Sequence, residues 1–335
     1  MKESLVEYLA CPVTGKTNIK LEVYKSIGSE IIEGKIEIGD RLYPIIKGVP
    51  RLLPDEFMNN LRFYHGSFLK KHPVFNDYIP SAEKLLSDIG SEKKLAIMRT
   101  LKFYSFVHQQ LILTEIDKKV QKDFSSFFKM RMPFERNYFK SKVGLDAGCG
   151  EGRYSNFIAR NGGEIISLDL SEAVNRAFKN NIGVGKNHVI QGSIFNPPVR
   201  KSKLDFVVSH GVLHHLPDPF EGFSKLAPLI KKGGEISIWV YGLEGMDLIY
   251  KLSHFTFLRP LTRNLGPFAC FGLSIYLALM LEISLWRPSK ILKLFGFNVS
   301  DQIIENANLP FIWKIHEIQD RLGVPVTFYP TKNEL

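Results

Sequence analysis

The stretch Val143-Gly-Leu-Asp-Ala-Gly-Cys-Gly-Glu-Gly152 constrains this chain more than any other. A short apolar strand ends in an acid and runs into a loop with glycine at 148, 150 and 152. Such a loop lets a ligand lie against bare backbone, and the helix that follows offers N–H groups to an anionic or polar partner. Alone the pattern is weak, because tight turns and dinucleotide folds use similar glycines. Four further segments follow in order. Strand Glu164–Leu168 ends at Asp169, where a carboxylate can accept from two sugar hydroxyls. Strand His188–Gln191 leads into Gly192-Ser193-Ile194-Phe195, and strand Leu204–Ser209 leads into His210-Gly-Val-Leu-His-His-Leu-Pro-Asp-Pro219. Lys231-Lys-Gly-Gly234 precedes strand Glu235–Tyr241. This alternation of strand and helix predicts a doubly wound, mostly parallel α/β sheet with ligands at the carboxyl ends of its strands.

Residues 141–242, and above all Asp-Ala-Gly-Cys-Gly-Glu-Gly and Val-Leu-His-His-Leu-Pro-Asp-Pro, resemble class I S-adenosylmethionine-dependent methyltransferases. The resemblance implies a Rossmann-like fold and S-adenosylmethionine as donor, with S-adenosylhomocysteine as product. It places Asp146 near the donor's ammonium group, and Gly148, Cys149, Gly150 and Gly152 along its methionine part. Asp169 and Leu170 fall at the ribose, Ser193 and Ile194 at the adenine, and His210 at the end of the fourth strand beside the donor. Ser193 stands where relatives usually carry Asp, so the adenine contact loses a charge. Methyl transfer from a sulfonium is an in-line displacement that needs alignment, and a base only for a protonated acceptor. His210, His214 and His215 are the candidates for that base, although a packing or backbone-bonding role for each is the blander reading. Asp218 reads as a helix N-cap, with Pro219 and Glu221 at the first and third helical positions. Trp239 and Tyr241 are candidates to line an acceptor pocket or to fill the core.

Residues 1–54 form a separate unit of alternating strands at Ile19–Tyr24 and Glu30–Ile38. Their Leu-Ala-Cys-Pro opening and Tyr-Pro-Ile…Gly-Val-Pro ending resemble the zinc-ribbon-like domain related to the activator of tRNA and protein methyltransferases. The chain has Thr14 where a second cysteine would stand and no later pair, so no metal is expected and apolar packing must hold this domain. Residues 55–140 read as a helical connector, with apolar periods over Leu95–Leu113 and Ile116–Phe128, part of it lying across the donor as a lid. Residues 243–335 read as a helical, acceptor-side or oligomerisation region. Its last segment, from Gly323, resembles the family's approach to one more helix and two final strands, which suggests truncation or loss of those strands.

At 335 residues the chain has room for a core domain with appendages. The 44 Lys and Arg exceed the 34 Asp and Glu, giving a net charge of +10. That excess suits an anionic or lipid-linked small acceptor; nucleic acid is not favoured, because the basic residues are scattered. Three distant cysteines offer no disulfide framework, and Lys2, Glu3 and Glu7 interrupt any leader, so a cytoplasmic location is expected. Residues 265–286 are nearly all apolar and approach the length of a membrane span. A buried or dimer-forming helical hairpin is the favoured reading of that segment, ahead of membrane-surface contact and, last, a true span. The leading functional expectation is methyl transfer to O, N or C of a small or lipid- or carbohydrate-linked acceptor. Methylation of tRNA or protein, and a non-catalytic donor-binding scaffold, are the alternatives.

Overall fold

The computed structural model describes residues 1–80, 92–110, 132–242, 259–262, 265–331 and 333–334. The expected helix over Ile116–Phe128 lies outside them. The chain divides into two units, Met1–Tyr241 with Phe328–Leu335, and Gly242–Thr327.

In the first unit an antiparallel sheet comes first: β1 (Ile19–Ile27), β2 (Glu30–Ile38), β3 (Arg41–Ile46) and β4 (Val49–Pro50), in that spatial order. Helices α1 (Asn60–Lys71) and α2 (Glu92–Gln110) follow. The second sheet contains β5 (Val143–Ala147), β6 (Glu164–Asp169), β7 (Lys186–Gln191), β8 (Leu204–His210) and β9 (Ile230–Trp239). Its order is β7-β6-β5-β8-β9, with every neighbouring pair parallel. Helices α3 (Arg153–Arg160), α4 (Val174–Asn181) and α5 (Pro219–Leu226) connect the strands. This is the doubly wound sheet that the strand alternation predicts. β5 to β8 are buried along nearly their whole length, as strands covered on both faces must be. The last strand differs at both ends. It starts at Ile230 and stops at Trp239, and its pairing with β8 jumps from Leu204↔Ile230 to Phe206↔Glu235. The Lys231–Gly234 turn is thus absorbed as an irregularity. Gly234 is needed there because a Cβ would stand 2.6 Å from the Asp205 carbonyl oxygen.

The N-terminal strands were expected to be a separate unit, and their packing differs from that. Leu5, Leu9, Ile36, Ile38 and Tyr43 share one buried cluster with Leu145, Leu168 and Ile190 of the parallel sheet and with Val199 between β7 and β8. Leu9 bridges to Val199 and Arg51 to Gln191 through backbone pairing. Among the described residues no three potential metal ligands converge. The Cys11 thiol lies 3.3 Å from the Tyr43 hydroxyl instead.

The second unit contains α6 (Pro267–Leu294, with a π-helical stretch at Glu282–Trp286), α7 (Asp301–Asn308) and α8 (Phe311–Gly323). The burial expected of the apolar 265–286 stretch is not found: 17% of the most apolar window of α6 is buried. The chain itself does not cover this helix, and the pattern alone does not distinguish cover by a second copy from cover by lipid.

Candidate active site

The glycine turn is held by bonds to the neighbouring strand. The Gly148 and Cys149 N–H groups both donate to the Leu168 carbonyl, at 2.7 and 3.0 Å. Gly148 has φ of 87° and faces Val212, whose side chain would lie 2.4 Å from an added Cβ. A side chain here is excluded by both backbone and neighbour. The Gly150 N–H donates to Asp169 Oδ2 at 2.9 Å, while the Ser171 N–H and hydroxyl donate to Asp169 Oδ1 at 2.8 and 2.7 Å. Asp169 therefore ties the first turn to the second and keeps acceptor capacity on Oδ2, since a carboxylate oxygen takes two bonds.

A cavity of about 120 Å³ opens above this turn, at the carboxyl ends of β5 to β8. Of the residues the sequence singles out, Gly148, Asp169, Leu170, Ser193, Ile194 and His215 line it. Cys149, Gly150, Gly152, Asp146, His210 and His214 do not. Asp146 is 1% exposed and accepts from the Ser155 N–H at 3.1 Å and the Ser155 hydroxyl at 2.6 Å. It caps the start of α3 and does not open onto the cavity. Burial pushes its carboxyl up to about 7, against the Ser155 bonds that favour the charged form. Cys149 is buried, and burial raises its thiol well above the usual range. Gly152, at φ 84°, is the N-cap residue of α3. Ser193 is turned inward, its hydroxyl accepting from the Phe195 N–H at 3.2 Å.

The three histidines part company. His210 Nε2 lies 2.8 Å from the Ser237 hydroxyl, and its ring meets Tyr154 edge-on. His214 is fully buried against Tyr241, ring centroids 4.2 Å apart, and its carbonyl accepts from the Phe328 N–H at 2.7 Å. Tyr241 stacks in turn on Tyr329 at 5.9 Å. His215 faces the cavity and lies 5.5 Å from the Tyr104 ring. Asp218 accepts from the Glu221 N–H at 2.8 Å and caps α5.

The roof of the cavity was not legible residue by residue. It is α2, through Ile97, Thr100, Leu101, Tyr104 and His108. His108 Nδ1 lies 2.6 Å from Glu151 Oε2 in the glycine turn, and Arg153 Nε lies 2.9 Å from Glu151 Oε1. Burial works against charge on both partners. Arg153 and His108 nonetheless hold the Glu151 carboxyl far below its usual range, and Glu151 raises the His108 ring. A Glu between two turn glycines was the available signal, for a carboxylate there must find a cation.

A second network lies under the β6 exit. Arg51, fully buried, donates to Gln191 Oε1 at 2.8 Å and Asn175 Oδ1 at 2.6 Å, and stands 3.5 Å from Glu172. His65 Nε2 lies 3.2 Å from Glu172, and Asn175 and Gln191 donate to the same carboxylate. Burial alone would raise Glu172, but His65 and Arg51 bring it down to about 2.

A turn stripped of side chains, a carboxylate on the second strand and an apolar slot of Leu170, Ile194 and Val212 fit a nucleoside sulfonium donor. Sheet order and turn together define a class I methyltransferase fold. Residues 145–238 match the family described as "Methyltransferase domain" and are an S-adenosylmethionine-dependent methyltransferase domain. The chain is 27% identical over 145 residues to a ubiquinone biosynthesis O-methyltransferase of Coxiella burnetii, covering 36% of this chain and 59% of that protein. It is 35% identical over 126 residues to the protein of that name from Cronobacter sakazakii, covering 34% and 51%. A solved methyltransferase from Aquifex aeolicus aligns with a TM-score of 0.30 at 21% identity, over 37% of this chain and 75% of that one. The chain thus spans between half and three-fifths of these curated relatives' length.

Proposed function

We propose that the chain transfers the methyl group of S-adenosylmethionine to an oxygen of a small hydroxylated acceptor. The observation that carries this reading is the cavity in which Gly148, Asp169 and His215 face one space. Bound there, the donor supplies a methyl group already activated on sulfur. Asp169 Oδ2 accepts from the ribose hydroxyls, Leu170 and Ile194 flank the adenine, and Gly148 lets the methionine part approach the backbone. Asp146, behind the turn and outside the cavity lining, supports the donor's ammonium end through its charge. His215 takes the hydroxyl proton as the new bond forms, while α2 excludes water. His210 and His214 hold their neighbours in place and stay out of the chemistry. Oxygen is favoured over nitrogen or carbon because the curated relatives are named O-methyltransferases. The N-terminal sheet acts in this reading as a metal-free ribbon that buttresses the β6 and β7 exits.

Titration calorimetry with S-adenosylmethionine and S-adenosylhomocysteine tests the donor half. Asp169→Ala leaves ribose hydroxyls unpaired and is expected to weaken both by about 100-fold. Undiminished affinity in that variant sinks the assignment. Transfer of label from methyl-tritiated donor to catechol, lost in His215→Ala, tests the acceptor half. A second reading, methylation of RNA, draws on the +10 net charge and requires binding that falls steeply between 50 and 200 mM salt.

A further inference from the structure

The second unit is built inside out. On α6 the residues turned inward are Cys270, Ser274 and Ala278, each fully buried, with Glu282 beyond them. On α8, the helix that pairs with it, Lys314, His316 and Gln319 are buried. Lys314 Nζ lies 2.6 Å from Glu282 and 4.6 Å from the Trp286 ring, so the one acid of the apolar stretch is neutralised within the pair. Trp286, Trp313 and Leu322 fill the remaining space. The outer side of α6 carries the large apolar residues: Phe268 is 78% exposed, Tyr276 57% and Ile283 66%, with Leu279 and Met280 between them. Spacings of three, four and eight put these on one side of the helix. Water selects the opposite arrangement. Small and polar residues at the helix contact with large apolar ones outside is the arrangement that hydrocarbon selects.

Charge and connectivity say which lipid geometry fits. Arg287, Lys290 and Lys293 follow the apolar stretch at three-residue intervals; Arg287 stands 3.4 Å from Glu282 and Lys293 3.1 Å from Asp301, and as Glu282 is also met by Lys314 this end keeps a cationic excess suited to headgroup phosphates. Phe295 and Phe297, 78% and 61% exposed, continue the apolar surface next to them. The 28 residues of α6 reach about 42 Å. Yet both ends of this unit join the first unit, which holds residues on either side of it in sequence. A single crossing would separate those ends. Among the described residues α6 is the one helix long and apolar enough to cross, and the 13-residue α8 carries Glu317, Asp320 and Arg321. We propose that α6 embeds in one leaflet of an anionic membrane, with its Phe268–Tyr276–Ile283 side in the acyl region and its Arg287–Lys290–Lys293 end at the phosphates. The proposal stands apart from the methyl-transfer reading, since none of its residues lines the donor cavity.

The test is flotation of the purified full chain with phosphatidylcholine vesicles, with and without phosphatidylglycerol, at low and high salt. The protein is expected to rise with both vesicles, with a preference of roughly tenfold or more for the anionic ones at low salt. Phe268→Ser/Tyr276→Ser/Ile283→Ser should lower partitioning onto both by about tenfold or more, since all three side chains are more than half exposed. Arg287→Gln/Lys290→Gln/Lys293→Gln should keep binding to neutral vesicles and lose the anionic preference. A wild-type chain that stays below the vesicles, or a triple-serine variant that floats as well as wild type, overturns the proposal. So does a wild-type dimer that the serine variant splits without any lipid binding, because the face would then belong to a second copy. As a milder probe, Tyr276→Trp should show more quenching by vesicles with brominated acyl chains than the wild-type chain with its three native Trp, and equal quenching in the two would also refute it.

Discussion

Asp146 sits where two demands meet. Its carboxyl is buried and raised to about 7, yet two Ser155 donors reward its charged form. The unfolded chain ionises this group near the ordinary pKa of about 4. Between that value and 7 the folded protein holds a proton that the unfolded one has released. Stability from this group is therefore fully present at low pH and is lost as pH rises through that window, by on the order of 4 kcal/mol at the top. Asp146→Asn should flatten this decline in urea unfolding measured from pH 4 to 8. The donor adds a second readout. An ammonium group brought to Asp146 favours the carboxylate, so binding at pH 6 should release close to one proton, and none above pH 8. Calorimetry in two buffers of different ionisation enthalpy measures it, and wild type and Asp146→Asn releasing equal amounts would remove Asp146 from the ammonium site. The glycine turn and Asp169 were legible in the sequence because their constraints are local: a positive φ, a strand end, a carboxylate two residues before a serine. The separation of His215 from His210 and His214 was not, because all three lie in one short segment and only the path of that segment decides which ring meets the cavity.

At the scale of elements, α2 roofs the cavity. A cavity of about 120 Å³ is well below the roughly 300 Å³ at which ligand pockets begin. On the reading proposed above, the donor enters only if α2 lifts, which breaks the 2.6 Å contact between His108 and Glu151. His108 faces Glu151, Asp169 and Arg153, and its net shift is upward. A raised histidine gives its full stabilisation below its unfolded pKa and loses it as pH rises through the higher folded value. The latch should accordingly loosen toward alkaline pH. His108→Gln is expected to speed release of S-adenosylhomocysteine by about tenfold at pH 6 and to lose the pH dependence, as read by stopped-flow displacement. Equal release rates in both proteins across that range would show that α2 is not the gate. The helical period foretold a helix here, but not which residue latches it to the glycine turn, since Glu151 lies more than forty positions away in sequence. The apolar run of α6 was equally plain, while its surroundings were not. A helix period marks a face, and only the partner α8, with Lys314 and Gln319 buried, shows that the small polar side is the inner one.

For the molecule as a whole, the sequence suggested a detachable N-terminal ribbon, and the packing argues for a joint fold of the first unit. One buried cluster runs from Leu5 and Ile38 to Leu145 and Ile190, and Arg51 carries its guanidinium from the end of the antiparallel sheet into the β6–β7 exits. A buried cation so placed stabilises little compared with an apolar replacement, yet removing it alone leaves Glu172 without its strongest counter-charge. Arg51→Ala should cost about 3 kcal/mol, a fall of roughly 6–12 °C in melting temperature for a unit of this size. The decisive readout is where protection is lost. If the two sheets form a single cooperative unit, amides of β2 and of β5 to β8 should exchange with the same opening free energy, and both should weaken by the same amount in Arg51→Ala. If β2 instead opened alone while β5 to β8 kept their protection, the ribbon would be an independent domain after all. The Arg51 network would then be a docking contact, and its loss should leave the melting of the parallel sheet untouched.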